Sequence, residues 1–227
     1  MSRVLADLTW PDAERAAAGT VLAVPVGATE QHGPHLPIST DTDIAVALVR
    51  GLAEARPDVV AAPALAYGSS GEHAGFDGTL SIGNEAVELV LVELARSASP
   101  AFGRVLLVCA HGGNEAPLRR AEERLRGEGR DVRAWLPHWS GDAHAGRLET
   151  SLMLAIAPER VALERAAAGE RAPVAELMPR LVSAGVRAVS PNGVLGDPEG
   201  ASTEEGRALL RAEVERLAAA VGDWPPL

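Results

Sequence analysis

The stretch Arg104–Cys109 reads Arg-Val-Leu-Leu-Val-Cys and is the clearest buried strand of the chain. The stretch Val21–Val26, which reads Val-Leu-Ala-Val-Pro-Val, has the same uninterrupted apolar character. Strands without polar alternation are typical of parallel sheets that are covered on both faces. The two stretches therefore predict two strands of a parallel sheet.

Segments with the spacing of amphipathic helices alternate with the apolar runs, which predicts βαβ units, a mainly parallel sheet and the α/β fold class. The predicted strands are Val21–Val26, Val59–Leu65, Arg104–Cys109 and Val132–Leu136, and the predicted helices are Ile44–Ala55, Glu85–Ala95, Ala116–Arg126 and a segment from Glu149 to Ile156. Ser202 and Glu205 form the capping-box pattern of a last helix. Prolines interrupt residues 159–195, for which the pattern predicts no element.

The composition fits one globular domain, and we expect that domain to span residues 1–227. A formal net charge of −10 argues against a nucleic-acid partner. Cys109 is the single cysteine and has no partner for an internal disulfide, and no apolar run reaches membrane-spanning length. We therefore expect a cytoplasmic protein that does not bind membranes or nucleic acids.

Acidic and imidazole side chains are concentrated after the first predicted strand. The segment Glu30–Pro37 reads Glu-Gln-His-Gly-Pro-His-Leu-Pro, and Asp41 and Asp43 follow it. Such groups are costly to dehydrate unless they are paired, and imidazole and carboxylate are the usual ligands of divalent metal ions. Glu30 and His32 point the same way in an extended segment, which predicts half of a metal site.

The other polar residues of this segment allow two interpretations. Asp43 fits a charge at the N-terminus of the following helix, where the helix dipole stabilises it. Asp41 could have the same role, but a carboxylate at a helix start can also turn inward and bridge two metal ions, which we prefer. His35, constrained by Pro34 and Pro37, is expected to support a ligand or to contact the substrate.

A second group, His111-Gly112-Gly113-Asn114, follows the most buried strand. Paired glycines permit unusual backbone angles and the close approach of a ligand. His111 could be a hydrogen-bonded core residue beside a plain turn, but ligands gather at the carboxyl ends of strands in open parallel sheets. We therefore expect His111 to be functional and Asn114 to contact the substrate.

A third group, His144–Ser151, reads His-Ala-Gly-Arg-Leu-Glu-Thr-Ser. Glu149 lies where a loop becomes a helix, so its carboxylate could point into a cleft or could be a first-turn helix charge. His144 is a candidate proton donor or acceptor beside a metal ion, because imidazole titrates near neutral pH.

The loop Gly68–Phe76 reads Gly-Ser-Ser-Gly-Glu-His-Ala-Gly-Phe and lacks the Gly-x-Ser-x-Gly motif of serine hydrolases, because Glu72 replaces the last glycine. We expect Glu72 and His73 at a pocket rim, where they contact the substrate. The absence of a glycine-rich phosphate-binding motif argues against nucleotide binding. His138 gives no clear signal.

Together these segments resemble the creatininase family of metal-dependent amidohydrolases. The resemblance rests on Glu30–Pro37, Thr40–Asp43, His111–Asn114 and His144–Ser151, in the order that the family has them. The segment from Ala64 to Gly83 is similar to the mycofactocin-system peptidases of that family. The resemblance implies a single-domain, three-layer α/β/α sandwich with a mainly parallel sheet, assembled into ring-like homo-oligomers.

The resemblance also implies two divalent metal ions per subunit. Carried over by motif, the ligands are Glu30, His32 and His111, and Asp41 is the carboxylate that bridges the two ions. Creatininase has a glutamate two residues after the equivalent of His111, where this chain has Gly113, and this departure argues against creatinine as the substrate.

Glu149 is the candidate for the ligand position that Gly113 leaves vacant. His144 matches a family histidine that transfers a proton to the leaving nitrogen, so His144 and Glu149 are the predicted catalytic residues. Mixed imidazole and carboxylate ligands suit zinc, which we expect, and also iron or manganese.

The implied reaction is hydrolysis of a peptide bond in a short modified precursor peptide. Cleavage releases the modified C-terminal Val-Tyr dipeptide, the starting piece of a redox cofactor. One alternative is another amidohydrolase of the family that acts on a small cyclic amide or a formamide. A second alternative is a non-catalytic binding protein that a metal ion stabilises.

Overall fold

The computed structural model describes residues 3–137 and 139–225 and contains a four-stranded parallel sheet in the order β2-β1-β3-β4. The strands are β1 (Val21–Val26), β2 (Val59–Ala61), β3 (Arg104–Cys109) and β4 (Asp131–Trp135). β1 and β3 pair along their whole length, from Val21 opposite Arg104 to Val26 opposite Cys109. The loops after these two strands therefore leave the sheet side by side.

Helices cover both faces of the sheet. They are α1 (Trp10–Ala17), α2 (Thr40–Ala55), α3 (Gly83–Phe102), α4 (Glu115–Gly127), α5 (Arg147–Ile156), α6 (Val174–Val189) and α7 (Thr203–Gly222). One apolar cluster joins alternate strand residues such as Val21 and Ala23 to α2, α5 and α7. A second joins Leu22 and Val24 to α1, α3 and α4. This α/β/α layering confirms the predicted fold class.

The predicted bounds are confirmed for β1 and β3 and differ for other elements. β2 ends at Ala61 rather than Leu65, since Pro63 has no N–H for a strand ladder. α2 begins at Thr40 rather than Ile44, so its first turn includes both aspartates of the metal-site segment. α3 runs beyond the predicted range to Phe102.

Two helices lie where the sequence pattern predicted none, and the predicted start of α7 is confirmed. The helix α1 was not predicted, and the unassigned residues 159–195 contain α6, which kinks at Gly185 with φ of +75°. The predicted capping of α7 is confirmed, because the N–H of Glu205 donates to the Ser202 side chain at 3.2 Å. In the part of the chain that the structure describes, no helix has the length and apolarity to cross a membrane.

We predict that Leu91→Ala lowers the free energy of unfolding by about 2–5 kcal/mol, because it leaves a cavity in the sheet-facing side of α3. Leu91 is completely buried between α3 and the strands. The measurement is guanidinium unfolding followed by circular dichroism.

The matched control is Leu89→Ala in the same helix, where the leucine is 54% exposed. This control makes the same change in helix propensity but should cost less than about 1 kcal/mol. Equal losses for the two variants would contradict the packing described for α3.

Candidate metal centre

The structure brings the three predicted groups together at the carboxyl end of the sheet. Glu30 and His32 follow β1, and His111 follows the neighbouring β3. Asp41 lies in the first turn of α2 and Glu149 in the first turn of α5. The first four side chains are buried, whereas that of Glu149 is 16% exposed.

Asp41 lies between two imidazole rings. Its Oδ1 is 3.2 Å from His32 Nε2, and its Oδ2 is 3.2 Å from His111 Nδ1. The other nitrogen of each ring donates to a backbone carbonyl, namely His32 Nδ1 to Glu30 at 3.1 Å and His111 Nε2 to Ser69 at 2.9 Å. Metal-binding histidines are commonly fixed in this way, which leaves His32 Nε2 and His111 Nδ1 as the ligand atoms.

Asp41 contacts residues of two groups of possible donor atoms through His32 and His111. Ligand atoms of Glu30, Asp41 and His111 lie within 4.8 Å of one another. On the other side of Asp41, ligand atoms of His32, His144 and Glu149 lie equally close together, with His32 Nε2 3.9 Å from Glu149 Oε2. The bridging role of Asp41 and the ligand role of Glu149 stay predictions.

The backbone before α5 directs the Glu149 carboxylate. Ala145 is buried with φ of +54°, a left-handed conformation that is unfavourable for a residue with a Cβ. Its N–H donates to Glu149 Oε2 at 2.6 Å. The strained residue therefore holds the carboxylate on the side of His32, a kind of backbone strain that concentrates at functional sites.

The carboxylate oxygens have the environment that a cation would complete. Both oxygens of Glu30 and Oδ2 of Asp41 are buried and accept no hydrogen bond from the described residues. They face imidazole nitrogens at 3.2–3.9 Å. Buried ionised carboxylates are costly without a partner, so this donor set fits divalent metal ions.

In the metal-free protein, protons compensate for the burial of these carboxylates, as the pKa values of the four groups indicate. Burial raises the pKa of Glu30 to about 8. Burial alone would lower the pKa of His32, but the Asp41 carboxylate raises it to about 10. His111 behaves alike, since Glu30 and Asp41 outweigh its burial and raise its pKa to about 10. Burial would raise the pKa of Asp41, but the imidazolium groups of His32 and His111 hold that pKa well below its usual range. Protons therefore occupy the centre until metal ions replace them.

The rings of His144 and His73 lie beside the centre and, unlike those of His32 and His111, are neutral. Their ring centroids are 4.6 Å apart, and that of His144 is 4.3 Å from His32. Burial, followed by the positive charge of His32, lowers the pKa of His73 to about 3 and that of His144 well below its ordinary value. Both rings are therefore neutral and carry one proton each.

Hydrogen bonds to Gln31 determine which nitrogen of each neutral ring holds the proton. His144 Nε2 donates to the backbone carbonyl of Gln31 at 2.8 Å, so His144 Nδ1 is an acceptor. His73 Nδ1 accepts from Gln31 Nε2 at 2.9 Å, so His73 Nε2 carries the proton and faces Glu30 Oε1 at 3.4 Å. A third possible donor group contains Glu30, His73 and His144. The proton on His73 Nε2 argues against this group as a metal site.

Two of the predicted substrate contacts, His73 and Asn114, have buried side chains. The prediction that His73 lies at a pocket rim is wrong, because its side chain is 5% exposed and faces Glu30 inside the centre. Asn114 is fully buried, accepts from the N–H of Ser69 at 2.8 Å and donates to the Gly27 carbonyl at 2.9 Å. Because these bonds engage both ends of its amide and the side chain is fully buried, Asn114 braces two loops.

His35 and Glu72 keep roles beside the centre. His35 is buried and its Nε2 lies 2.9 Å from Thr150 Oγ1, next to Glu149, which fits the support of a ligand. Glu72 is partly exposed, and its Oε1 would lie 2.8 Å from a Cβ added to Gly113. That Cβ would also lie 2.3 Å from the Ser69 carbonyl oxygen. The loop that carries Glu72 therefore occupies the space that a side chain at position 113 would need.

Three further residues near the centre in sequence, Asp43, Gln31 and His138, differ in how the sequence predictions compare with the structure. Asp43 accepts from Ser39 Oγ at 2.8 Å and pairs with Arg160 at 2.7 Å, which fits a helix-start charge outside the centre. Gln31 was not predicted, although its place between Glu30 and His32 was the available signal. His138 lies outside the described residues.

Comparisons with known proteins agree with this geometry. Residues 6–221 match the family model described as creatinine amidohydrolase. The chain is 49% identical to the mycofactocin precursor peptide peptidase of Mycolicibacterium smegmatis, over 91% of this chain and 86% of that protein. It is 46% identical to the protein of the same name from Mycobacterium ulcerans, over 96% of this chain and 87% of that protein.

A solved structure extends the comparison to the fold. The chain aligns with a mutant creatininase of Zn–Zn type over 100% of both chains, with a TM-score of 0.85 and 28% identity. The match covers the sheet, both helical layers and the loops that carry the donor groups. The chain belongs to the creatininase family and is a hydrolase of that metal-dependent amidohydrolase fold.

Proposed function

We propose that this protein is a metal-dependent peptidase that releases the modified C-terminal Val-Tyr dipeptide from the mycofactocin precursor peptide. The observation that carries the substrate assignment is the 46–49% identity, over more than nine-tenths of this chain, to proteins named mycofactocin precursor peptide peptidase. Gly113 argues against creatinine, because the loop with Glu72 fills the space at that position.

We assign the centre to two divalent ions, with zinc the expected metal and iron or manganese compatible with the same donors. Glu30, Asp41 and His111 would hold one ion, and His32, Asp41 and Glu149 the other. When bound, such ions lower the pKa of a water molecule from ~15.7 to ~7 and polarise the scissile carbonyl. The Zn–Zn type of a creatininase relative supports this choice.

The remaining residues handle protons and shield the reaction. His144 Nδ1 is an unprotonated acceptor within 3.9 Å of Glu30 Oε1, so it can take a proton from the attacking water and deliver it to the departing amine. His73 Nε2 faces the same Glu30 oxygen at 3.4 Å. Glu72, which is partly exposed, would contact the peptide.

The broader properties of the protein are part of the proposal, and they follow from its composition and, for the assembly, from the family resemblance. We infer one domain over residues 1–227, a homo-oligomeric assembly and a cytoplasmic location, with no nucleic-acid or membrane partner. The net charge of −10 supports the absence of a nucleic-acid partner.

We predict that Asp41→Ala and His111→Ala each lose bound metal and activity together, because each removes a ligand. His144→Ala should keep its metal content but lose activity by about 10²–10⁴-fold, the usual contribution of a general acid or base. Metal content is measured by mass spectrometry of the purified proteins, and activity with the modified precursor peptide.

The matched control for Asp41→Ala is Asp43→Ala, which removes a carboxylate from the same helical turn but not from the centre. It should retain metal and activity. Full activity of Asp41→Ala or His111→Ala in metal-free buffer would refute the mechanism, and loss of metal from His144→Ala would make His144 a ligand instead.

Metal binding should release protons, and the apparent affinity should rise with pH. In the metal-free protein His32 and His111 have pKa values of about 10 and are protonated at neutral pH, and Glu30, with a pKa of about 8, is largely protonated. Ions must displace these protons, so each displaced proton weakens binding about tenfold per pH unit below the pKa.

Proton release is measured by calorimetric titration of Zn²⁺ into metal-free protein in two buffers that differ in ionisation enthalpy. Repetition at about pH 6 and about pH 8 gives the direction of the affinity change. An affinity that is constant or falls over this interval would contradict the protonated centre described here.

The substrate assignment predicts that the zinc-loaded protein shortens the modified precursor peptide by its C-terminal dipeptide. Mass spectrometry should detect the truncated peptide and the released Val-Tyr unit. The unmodified peptide and creatinine are the comparison substrates, tested at equal concentration.

Preferential hydrolysis of creatinine or of a small formamide would overturn the peptidase assignment and favour another amidohydrolase of the family. If all three substrates stay intact and a chelator still lowers the melting temperature, the protein is a metal-stabilised binding protein instead.

A further inference from the structure

Gln31 lies at the junction of two imidazoles and a distant turn, and its polar atoms are all engaged. Its Oε1 accepts from the Gly33 N–H at 2.8 Å, and its Nε2 donates to the Gly193 carbonyl at 3.0 Å and to His73 Nδ1 at 2.9 Å. The residue is 6% exposed. Because an N–H and a carbonyl fix opposite ends of the amide, its orientation is determined.

A third close contact of Gln31 Nε2 uses neither of the two amide hydrogens. Gln31 Nε2 also lies 3.1 Å from His144 Nε2, but that ring nitrogen already donates to the Gln31 carbonyl at 2.8 Å. The two amide hydrogens therefore go to Gly193 and His73. Through its side chain Gln31 sets the proton position of His73, and through its backbone that of His144.

Gly193 holds the amide from the other side. It has φ of +81°, and an added Cβ would lie 1.9 Å from Gln31 Oε1 and 2.5 Å from Gln31 Cδ. This turn follows α6, 162 residues away from Gln31 along the chain. A side chain at position 193 would have to push the Gln31 amide out of its place.

We propose that Gln31 and Gly193 form one positioning device that keeps His73 protonated at Nε2 and directs the Nε2–H of His144 to the Gln31 carbonyl. Neither residue is among the proposed metal ligands. This inference rests on the proposed function only for the role of His144, because the proton positions themselves belong to the protein whatever its substrate is.

The direct test is nitrogen-15 NMR of the zinc-loaded protein with labelled histidine, which distinguishes the two neutral tautomers. Both His73 and His144 should be protonated at Nε2. In Gln31→Glu, a near-isosteric change, the carboxylate has no hydrogen to donate. His73 should then move its proton to Nδ1, or gain a second proton, so its spectrum should change.

The kinetic test uses the peptide substrate. Gln31→Glu and Gly193→Ala should each lower kcat by about 10–100-fold, the usual effect of losing a partner that orients a residue of a metal site, with KM and metal content within about twofold of the wild type. If Gly193→Ala acts through Gln31, the double variant Gln31→Glu/Gly193→Ala should be no slower than Gln31→Glu alone.

The control for backbone strain is Gly19→Ala, at a glycine with φ of +73° and no atom within 4 Å of the added Cβ. It should lower the melting temperature like Gly193→Ala but leave kcat unchanged. An unchanged His73 spectrum in Gln31→Glu, or additive effects in the double variant, would overturn the proposal. The NMR result stands independently of substrate identity, so failure of the peptide assay alone would refute only the peptidase assignment.

Discussion

The structure depends on the cost of burying carboxylates at the carboxyl end of the sheet. Glu30 and Asp41 are almost completely buried, and three of their four oxygens accept no hydrogen bond from the described residues. An ionised carboxylate in such surroundings is unstable unless positive charge lies close by. Imidazolium protons supply that charge in the metal-free protein, and divalent ions would supply it in the working enzyme. The same requirement explains why acids and histidines are interleaved rather than separated.

Strands and helix N-termini position the buried carboxylates and reduce the free-energy cost of burying them. Glu30 and His111 follow two strands that pair along six residues in the middle of the core. Asp41 and Glu149 both lie in the first turn of a helix, where the dipole favours negative charge. The helix α7 packs against both of these helices and links them to one apolar cluster. Packing far from the centre therefore sets the distances between its donor atoms.

The sequence predicted the parts of the centre that depend on local pattern. Glu30, His32 and His111 follow apolar runs that are recognisable as buried strands, and parallel strands place such residues at one edge. Asp41 and Asp43 could not be separated with certainty, because the choice depends on where α2 begins and on Arg160, 117 residues away. The α6 segment escaped prediction because Pro179 and Gly185 interrupt its helical pattern, and the packing of its apolar side holds it together.

The contacts that the sequence could not predict share a physical property, since they join loops that are distant along the chain. His73, His144 and Gly193 meet at Gln31 across 42, 113 and 162 residues of chain. The proposed metal ligands, by contrast, follow the central strands β1 and β3 or lie in the first turns of α2 and α5. Metal binding and proton placement thus rest only partly on the same parts of the fold. The loop after β2 contributes to both, because its Ser69 carbonyl accepts from His111 Nε2 and its His73 accepts from Gln31. The loop after α6 carries no proposed metal ligand, so a change at Gly193 can alter the proton position of His73 while the donor set stays in place.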